Sequence, residues 1–439
     1  MPALEGTKNA ARGTRRVLIL LAVLAIVWGT AFRARTLLAF GIAQATLLAA
    51  LAVYPRLAAL KLGVARRMPA RAFEEEEVTV RFGLENRGRL PFVFAEVEDF
   101  FAPDQEVFRR APLPPVVAPR TRAVGLYRAS CFGKRGAYTI GPARLRLADP
   151  FGLFLRDIIL DEPTPFIVYP RTRELPALPP GGAGRPLAAT ALARKAGQSA
   201  EALSVREYRP GDPLRRIHWP TTARRGKLAV LELELEHARD VAIFIDLDRR
   251  TLRGLGRRST LEHSVRIAAS AAASYLGRGD RVRLVAQGKQ TVFVPPGAGE
   301  RHLAFVLDEL ARVRPDGEET IESLVARSAG ELLPGSTAFI VLATADDTGT
   351  REKEMLLTRE RTAMIAALRA RGCEVVCVLL DEATFLAIYR EQQKGVAERT
   401  AVPRVADALV REGALVYVIA QGDDLAERFL HPFGGPRRG

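Results

Sequence analysis

Residues 204–231, SVREYRPGDPLRRIHWPTTARRGKLAVL, concentrate the side chains best suited to recognition chemistry. Arg206, Tyr208, Gly211, Asp212, Arg215, Arg216, His218, Trp219 and Arg224 fall within one turn-rich stretch that ends in a strand-like run. The guanidinium groups of Arg206, Arg215 and Arg216 are planar forks that match carboxylates or phosphates in bidentate fashion. Gly211-Asp212-Pro213 reads as a turn whose aspartate accepts backbone N–H bonds. His218 and Trp219 offer ring faces on which guanidinium groups stack. Two uses rest on this same chemistry: an internal staple between two halves of the molecule, or a surface that docks a partner. The sequence leaves both open.

A second group of polar residues follows short apolar runs. Asp246 and Asp248 come after VAIFIDLD (241–248), and Thr344, Asp346 and Asp347 end STAFIVLATADD (336–347). Carboxylates with a hydroxyl are the oxygen donors that Mg²⁺ or Ca²⁺ takes, provided several converge on one point. Solvated polar residues at strand ends read the same way. Signatures of common reactions are missing: there is no Gly-Lys-Ser phosphate loop, Gly-x-Ser-x-Gly elbow, His-Glu-x-x-His helix or Asp-Phe-Gly element. Ser199 and Ser204 have no neighbouring base. Without a set of residues in complementary catalytic roles, the expectation is a protein that is not an enzyme.

The elements that must position these residues differ between the two halves of the chain. Residues 72–175 show apolar–polar alternation punctuated by Gly and Pro, as in VTVRFGLENRG, which predicts a β-rich, sandwich-like domain. Residues 176–200 are rich in Pro and Gly and read as a linker. The arginine-rich segment occupies 201–232. From 238 to 430, apolar strands alternate with helical patterns, which predicts a doubly wound α/β domain on a parallel sheet. Ligands of such sheets bind at the carboxyl ends of the strands, where Asp246, Asp248, Thr344 and Asp346 fall.

Two uncharged apolar runs, 17–32 and 36–54, are separated by Arg33, Ala34 and Arg35. As helices they would be about 24 and 28 Å long, close to the hydrocarbon thickness of a bilayer. A two-helix transmembrane hairpin over 17–54 is expected, preceded by a basic N-terminus at 1–16. Lys and Arg are denser outside the hairpin than in its turn. By the positive-inside rule this places both ends, and the soluble domains, in the cytoplasm of a multi-pass inner-membrane protein.

The net charge of +15 favours anionic partners. Arg66, Arg67 and Arg71 follow the second run and are expected to lie against anionic membrane lipids. No nucleic-acid reader motif accompanies the charge, so nucleic acid is not an expected partner. The three cysteines, Cys131, Cys373 and Cys377, form no disulfide framework. Cys373 and Cys377 lie about 13 Å apart along one strand, too far to bridge, and read as small core residues.

Arg206, Tyr208, Gly211, Asp212, Arg216, Ile217, Trp219, Ala223 and Arg224, preceded by GKRGAYTIGP and ADPFGLF, resemble the bacterial family called domain of unknown function 58. The resemblance implies an α/β half similar to the von Willebrand factor A fold, whose adhesion-type metal site uses Asp-x-Ser-x-Ser after the first strand. Here that stretch is Asp246-Leu247-Asp248-Arg249-Arg250. The first aspartate is kept, Asp248 replaces one serine and Arg250 the other, and Arg250 would repel a cation. Thr344 and Asp346 match the later ligand positions, so a degraded Mg²⁺ or Ca²⁺ site is the cofactor reading. The resemblance also implies a membrane-anchored adaptor working with a MoxR-type AAA+ ATPase in a chaperone-like or envelope-related process. The alternative is a metal-dependent hydrolase acting on a phosphate-bearing substrate. Oligomeric state is not legible.

Overall fold

The computed structural model of the protein describes residues 2–104, 107–160, 163–175, 178, 202–207, 217, 219–233, 239–343, 351–390 and 402–434. The chain opens with helix α1 (Pro2–Ala31) and helix α2 (Arg35–Ala59). Segments 12–31 and 35–59 are long and apolar enough to cross a membrane, and most of their side chains are exposed. Chain reversal between them puts Arg33 at φ 52°, a left-handed conformation uncommon for a residue with a Cβ. Small residues let the two helices approach closely. A Cβ on Gly29 would lie 2.6 Å from the Leu38 nitrogen, and one on Gly41 2.8 Å from the Ile26 side chain. The helices run beyond the apolar stretches, α1 back through the basic N-terminus and α2 onward through Pro55.

Contacts divide the chain into two compact units, residues 1–171 with 310–312, and the remainder. Between residues 60 and 171 the regular structure is all strand among the described residues: β1 (Leu62–Arg67), β2 (Arg71–Phe73), β3 (Glu77–Asn86), β4 (Phe92–Phe101), β5 (Val107–Pro112), β6 (Val116–Val117), β7 (Arg122–Ser130), β8 (Gly136–Ile140), β9 (Ala143–Ala148), β10 (Leu155–Leu160) and β11 (Thr164–Tyr169). They pair as β1-β3-β7, as β10-β9-β4-β5 with β6 on β4, and as β2-β11-β8. In β3 the alternate residues Val78, Val80, Phe82 and Leu84 are buried, because successive side chains of a strand face opposite ways. They share one core with Phe92, Val97, Phe101, Leu145 and Phe166.

Strand β1 precedes the stretch whose alternation announces strands, and it overturns the lipid-facing expectation for Arg66. That side chain is 8% exposed and donates to Asp99 Oδ1 at 2.6 Å. It also donates to the Ile140 carbonyl at 3.0 Å and the Thr164 hydroxyl at 2.9 Å. A fully buried carboxylate needs a partner, and here the partner is the arginine that composition alone assigns to the membrane.

In the second unit, β12 (Ala202–Glu207) and β13 (Ala229–Leu233) form an antiparallel pair around helix α3 (Trp219–Arg225). The sheet beyond is six-stranded: β14 (Asp240–Ile245), β15 (Arg281–Gln287), β16 (Thr291–Gly297), β17 (Thr337–Ala343), β18 (Glu374–Leu380) and β19 (Leu415–Ile419). Their order is β16-β15-β14-β17-β18-β19, a doubly wound arrangement. Strand β16 is the exception to the parallel expectation. It runs antiparallel to β15 because only Gly288-Lys289-Gln290 separate them, far too few residues for a parallel crossover.

Helices α4 (Thr260–Gly277), α5 (Glu300–Arg312), α6 (Ile321–Ser328), α7 (Arg351–Ala370), α8 (Glu382–Arg390), α9 (Val402–Arg411) and α10 (Leu425–Arg428) complete the unit. Every residue of β17 is buried, as a strand covered on both faces requires. Ala338, Ile340 and Leu342 join a core with Leu324 of α6, Ile365 and Leu368 of α7, and Leu409 of α9. Phe339, on the alternate face, packs edge-on against Tyr275 of α4. Cys131, Cys373 and Cys377 are free and buried, as small core residues.

Candidate functional site

The carboxyl ends of β14, β17 and β18 gather the charged residues on which a site would be built. Chain direction leaves β14 at Ile245 and continues into Asp246, Leu247 and Asp248, followed by a 3-10 turn at Arg249–Thr251. Asp246 Oδ1 accepts the Asp248 N–H at 2.9 Å. Asp248 caps the next turn by accepting the Arg250 N–H at 2.9 Å. Leu247 is further tied down by Gly317, whose N–H donates to the Leu247 carbonyl at 3.0 Å. A Cβ on Gly317 would fall 2.4 Å from the Gln287 carbonyl oxygen, so only glycine permits this approach.

Arg250 decides what the site can hold. Its Nε donates to both Asp248 oxygens at 2.9 Å and its Nη2 to Oδ2 at 2.5 Å. The Asp248 side chain is 4% exposed and that of Arg250 62%, so the guanidinium lies over the carboxylate from the solvent side. A divalent ion would need the oxygens that Arg250 covers, and would meet its positive charge. Among the described residues no group of three or more His, Cys, Asp or Glu could hold a metal. The described half of the expected cation site therefore does not fit a cation. Thr344 and Asp346, its other half, lie outside the described residues.

Two further arginine–carboxylate pairs lie at the ends of the same strands. Arg361 of α7 donates to Glu322 of α6 at 3.1 Å and to the Ala343 carbonyl, the last residue of β17, at 2.9 Å. Arg253 reaches Glu382, the residue after Asp381 at the end of β18, at 3.3 Å. Burial pushes the Asp246 carboxyl up to about 6. The Asp248 N–H and the Thr251 hydroxyl oppose the rise, and the charges of Asp248 and Glu322 add to it. Three carboxylates at this edge, Asp248, Glu322 and Glu382, are thus paired with the protein's own arginines, and Asp246 is held by the Asp248 N–H instead.

Sequence reasoning missed Glu322, Arg361, Arg253 and Glu382. A signal existed for one of them: Arg361 shares the 361-364-365-368 stripe with Met364, Ile365 and Leu368, all buried, and a charge on a buried stripe implies a partner. Nothing in local sequence pairs Arg253 with Glu382.

The arginine-rich segment is described in part. Arg206 belongs to β12, Ile217 is buried, and Trp219 opens α3. Tyr208, Gly211, Asp212, Arg215, Arg216 and His218 lie outside the described residues. Trp219 is 66% exposed, and among the described residues no arginine stacks on it. Arg224 is exposed on the same helix. The helix ends at Gly226, φ 66°, and Thr222 Oγ1 accepts the Ala229 N–H at 3.1 Å, fixing the helix against the start of β13.

Residues 204–333, from β12 to the end of the α6 region, match the model of a family described as protein of unknown function DUF58. The uncharacterized protein YeaD of Bacillus subtilis (strain 168) is 30% identical over 133 residues, which is 30% of this chain. The chain spans 31% of that relative's length. Solved structures give remote likenesses only. One titled "AvmM Catalyzes Macrocyclization in Alchivemycin A Biosynthesis" has a TM-score of 0.19 at 10% identity, over 25% of this chain and 88% of that one. A GH20 exo-β-N-acetylglucosaminidase from Vibrio harveyi has a TM-score of 0.19 at 8% identity, over 77% of this chain and 61% of that one. Scores this low carry no statement about fold or activity.

Proposed function

We propose that this protein is a membrane-anchored interaction protein whose α/β unit docks a partner without a metal ion. The α1–α2 hairpin spans the bacterial inner membrane, and the soluble units face the cytoplasm. The observation that carries the docking reading is Arg250 closed over Asp248: a position suited to a metal ion is filled by a side-chain cation. A likeness to the von Willebrand factor A fold is part of the proposal. It is supported by the strand order, by the antiparallel edge strand β16 and by Asp246 directly after the central strand β14. The family likeness of residues 204–333 extends, in this reading, to the whole chain.

Exposed Trp219 favours docking over stapling for the arginine-rich segment, because tryptophan and arginine dominate the energetics of protein interfaces. The resemblance read from the signature makes a MoxR-type AAA+ ATPase the proposed partner. Capture of the detergent-solubilised chain from its native membrane, in chelator, tests this. The expected result is an AAA+ ATPase retained by the wild type and lost from Trp219→Ala with unchanged circular dichroism. Capture of no ATPase by the wild type would overturn the partner assignment.

A further inference from the structure

The end of the β-rich unit beside the helical hairpin combines an exposed aromatic with basic loops. Tyr54 of α2 donates to the Pro91 carbonyl at 2.7 Å, which fixes the start of β4 next to the helix. The Arg15 guanidinium of α1 lies 5.4 Å from the Phe154 ring centre. Arg15 and Tyr54 mark the ends of the two apolar runs on the same side of the hairpin, so the β9–β10 turn sits at the level where the runs end.

That turn, Asp149–Phe154, is cross-braced by hydrogen bonds. Asp149 is fully buried and accepts the Phe151 N–H at 2.8 Å and the Phe154 N–H at 2.5 Å. The Asp149 N–H donates in turn to the Phe154 carbonyl at 3.1 Å. Phe151 is held 68% exposed at the tip of the turn. Lys61, Arg87, Arg89, Arg120 and Arg122 are exposed in neighbouring segments at this end of the unit. Arg87 and Arg122 share Glu85, at 2.9 and 3.1 Å, which leaves the set strongly positive. Asn86 binds these segments together, its amide donating to the carbonyls of Leu90 at 2.8 Å and Val117 at 3.1 Å.

We propose that the Asp149–Phe154 turn is a membrane-interface anchor, with Phe151 seated among the lipid headgroups and the basic loops around it facing anionic lipid. The proposal rests on the membrane-anchored reading above. An exposed apolar ring such as that of Phe buries at the headgroup–acyl boundary, and a basic surface within a Debye length of an anionic bilayer is drawn to it. The hairpin supplies continuity with the bilayer. Phe151 and the loop charges then fix how the β-rich unit lies on the surface, a degree of freedom that two helices leave open.

The test uses the full chain reconstituted in vesicles of phosphatidylcholine with phosphatidylglycerol. An environment-sensitive dye is placed at Phe151→Cys, and for comparison at Phe132→Cys. Phe132 is exposed beyond Ser130, which pairs with Glu77, whereas the Asn86 end of β3 is the one beside the hairpin, about 30 Å away. The native thiols are buried and stay unlabelled in the folded protein. Lipid-borne nitroxide is expected to quench the Phe151 probe several-fold more than the Phe132 probe, with less quenching when phosphatidylglycerol is omitted. Alkaline carbonate extraction is run on the same samples. Protein that stays with the vesicles but shows equal quenching at both positions would overturn the anchor and leave the spans standing. Protein released by carbonate would overturn the membrane-anchored reading and the anchor with it.

Discussion

The β-rich unit and the α/β unit each contain an arginine closed on an aspartate, and burial gives the two pairs different work. In the first, Arg66 and Asp99 are 8% and 0% exposed, and Tyr127 adds an O–H donor to Asp99 at 2.7 Å. In the second, Asp248 is 4% exposed but Arg250 is 62% exposed. An ion pair sealed on both sides exchanges hydration for fixed partners, so removing one partner leaves a charge that water cannot reach. A pair open on the arginine side keeps water as a substitute, and its strength is correspondingly small. The first pair is architecture. The second is a surface feature.

The largest expected effect separates the two. Asp99→Ala should destabilise the protein by about 3–5 kcal/mol, because Arg66 is left buried without its counter-charge. Urea unfolding of the solubilised full chain measures it, and a loss equal to that of an exposed-pair mutant would collapse the distinction. An intermediate effect belongs to Asp246. Its carboxyl is raised to about 6 from the 3.8 of the free side chain. Between those values the folded state holds the extra proton, so stability falls as pH rises through the window and stays lower above it. Asp246→Asn should therefore gain about 1–2 kcal/mol at pH 7.5 and flatten the stability profile between pH 4 and 6. A steeper profile in the mutant would contradict this origin.

Smaller still, Arg250→Ala should cost about 1 kcal/mol or less, since solvent replaces the guanidinium over Asp248. The smallest effect is the absence of one: burial pushes the thiols of Cys131 and Cys377 up to about 12, so native protein should resist alkylation at pH 8 until unfolded. For the signature, Arg216→Ala with Trp219→Ala separates staple from dock. Retained folding with lost partner capture supports the dock.

The same contrast explains what could be read in the sequence. Period-two alternation in VTVRFGLENRG marks β3, and unbroken apolar runs mark β14, β17 and β18, because burial on one face or two dictates those patterns. The two apolar helices are equally legible from length and composition. Pairings between distant residues leave no local trace. Arg66 and Asp99 are 33 positions apart, and nothing near either says that a fully buried acid waits for the base. At the sheet edge, Asp246 and Asp248 were placed by the strand that precedes them. The closing of Arg250 onto Asp248 depends on the 3-10 turn that brings the guanidinium back over the carboxylate.

Arg250 covers the Asp248 oxygens that a metal ion would need, and the proposed docking requires no ion. Thermal unfolding of the solubilised full chain with millimolar Mg²⁺ or Ca²⁺, against chelator, tests it directly, because an ion that binds only the folded state must raise the melting temperature. Coincident unfolding curves are expected for the wild type. A saturable upward shift that disappears in Asp248→Asn would contradict it.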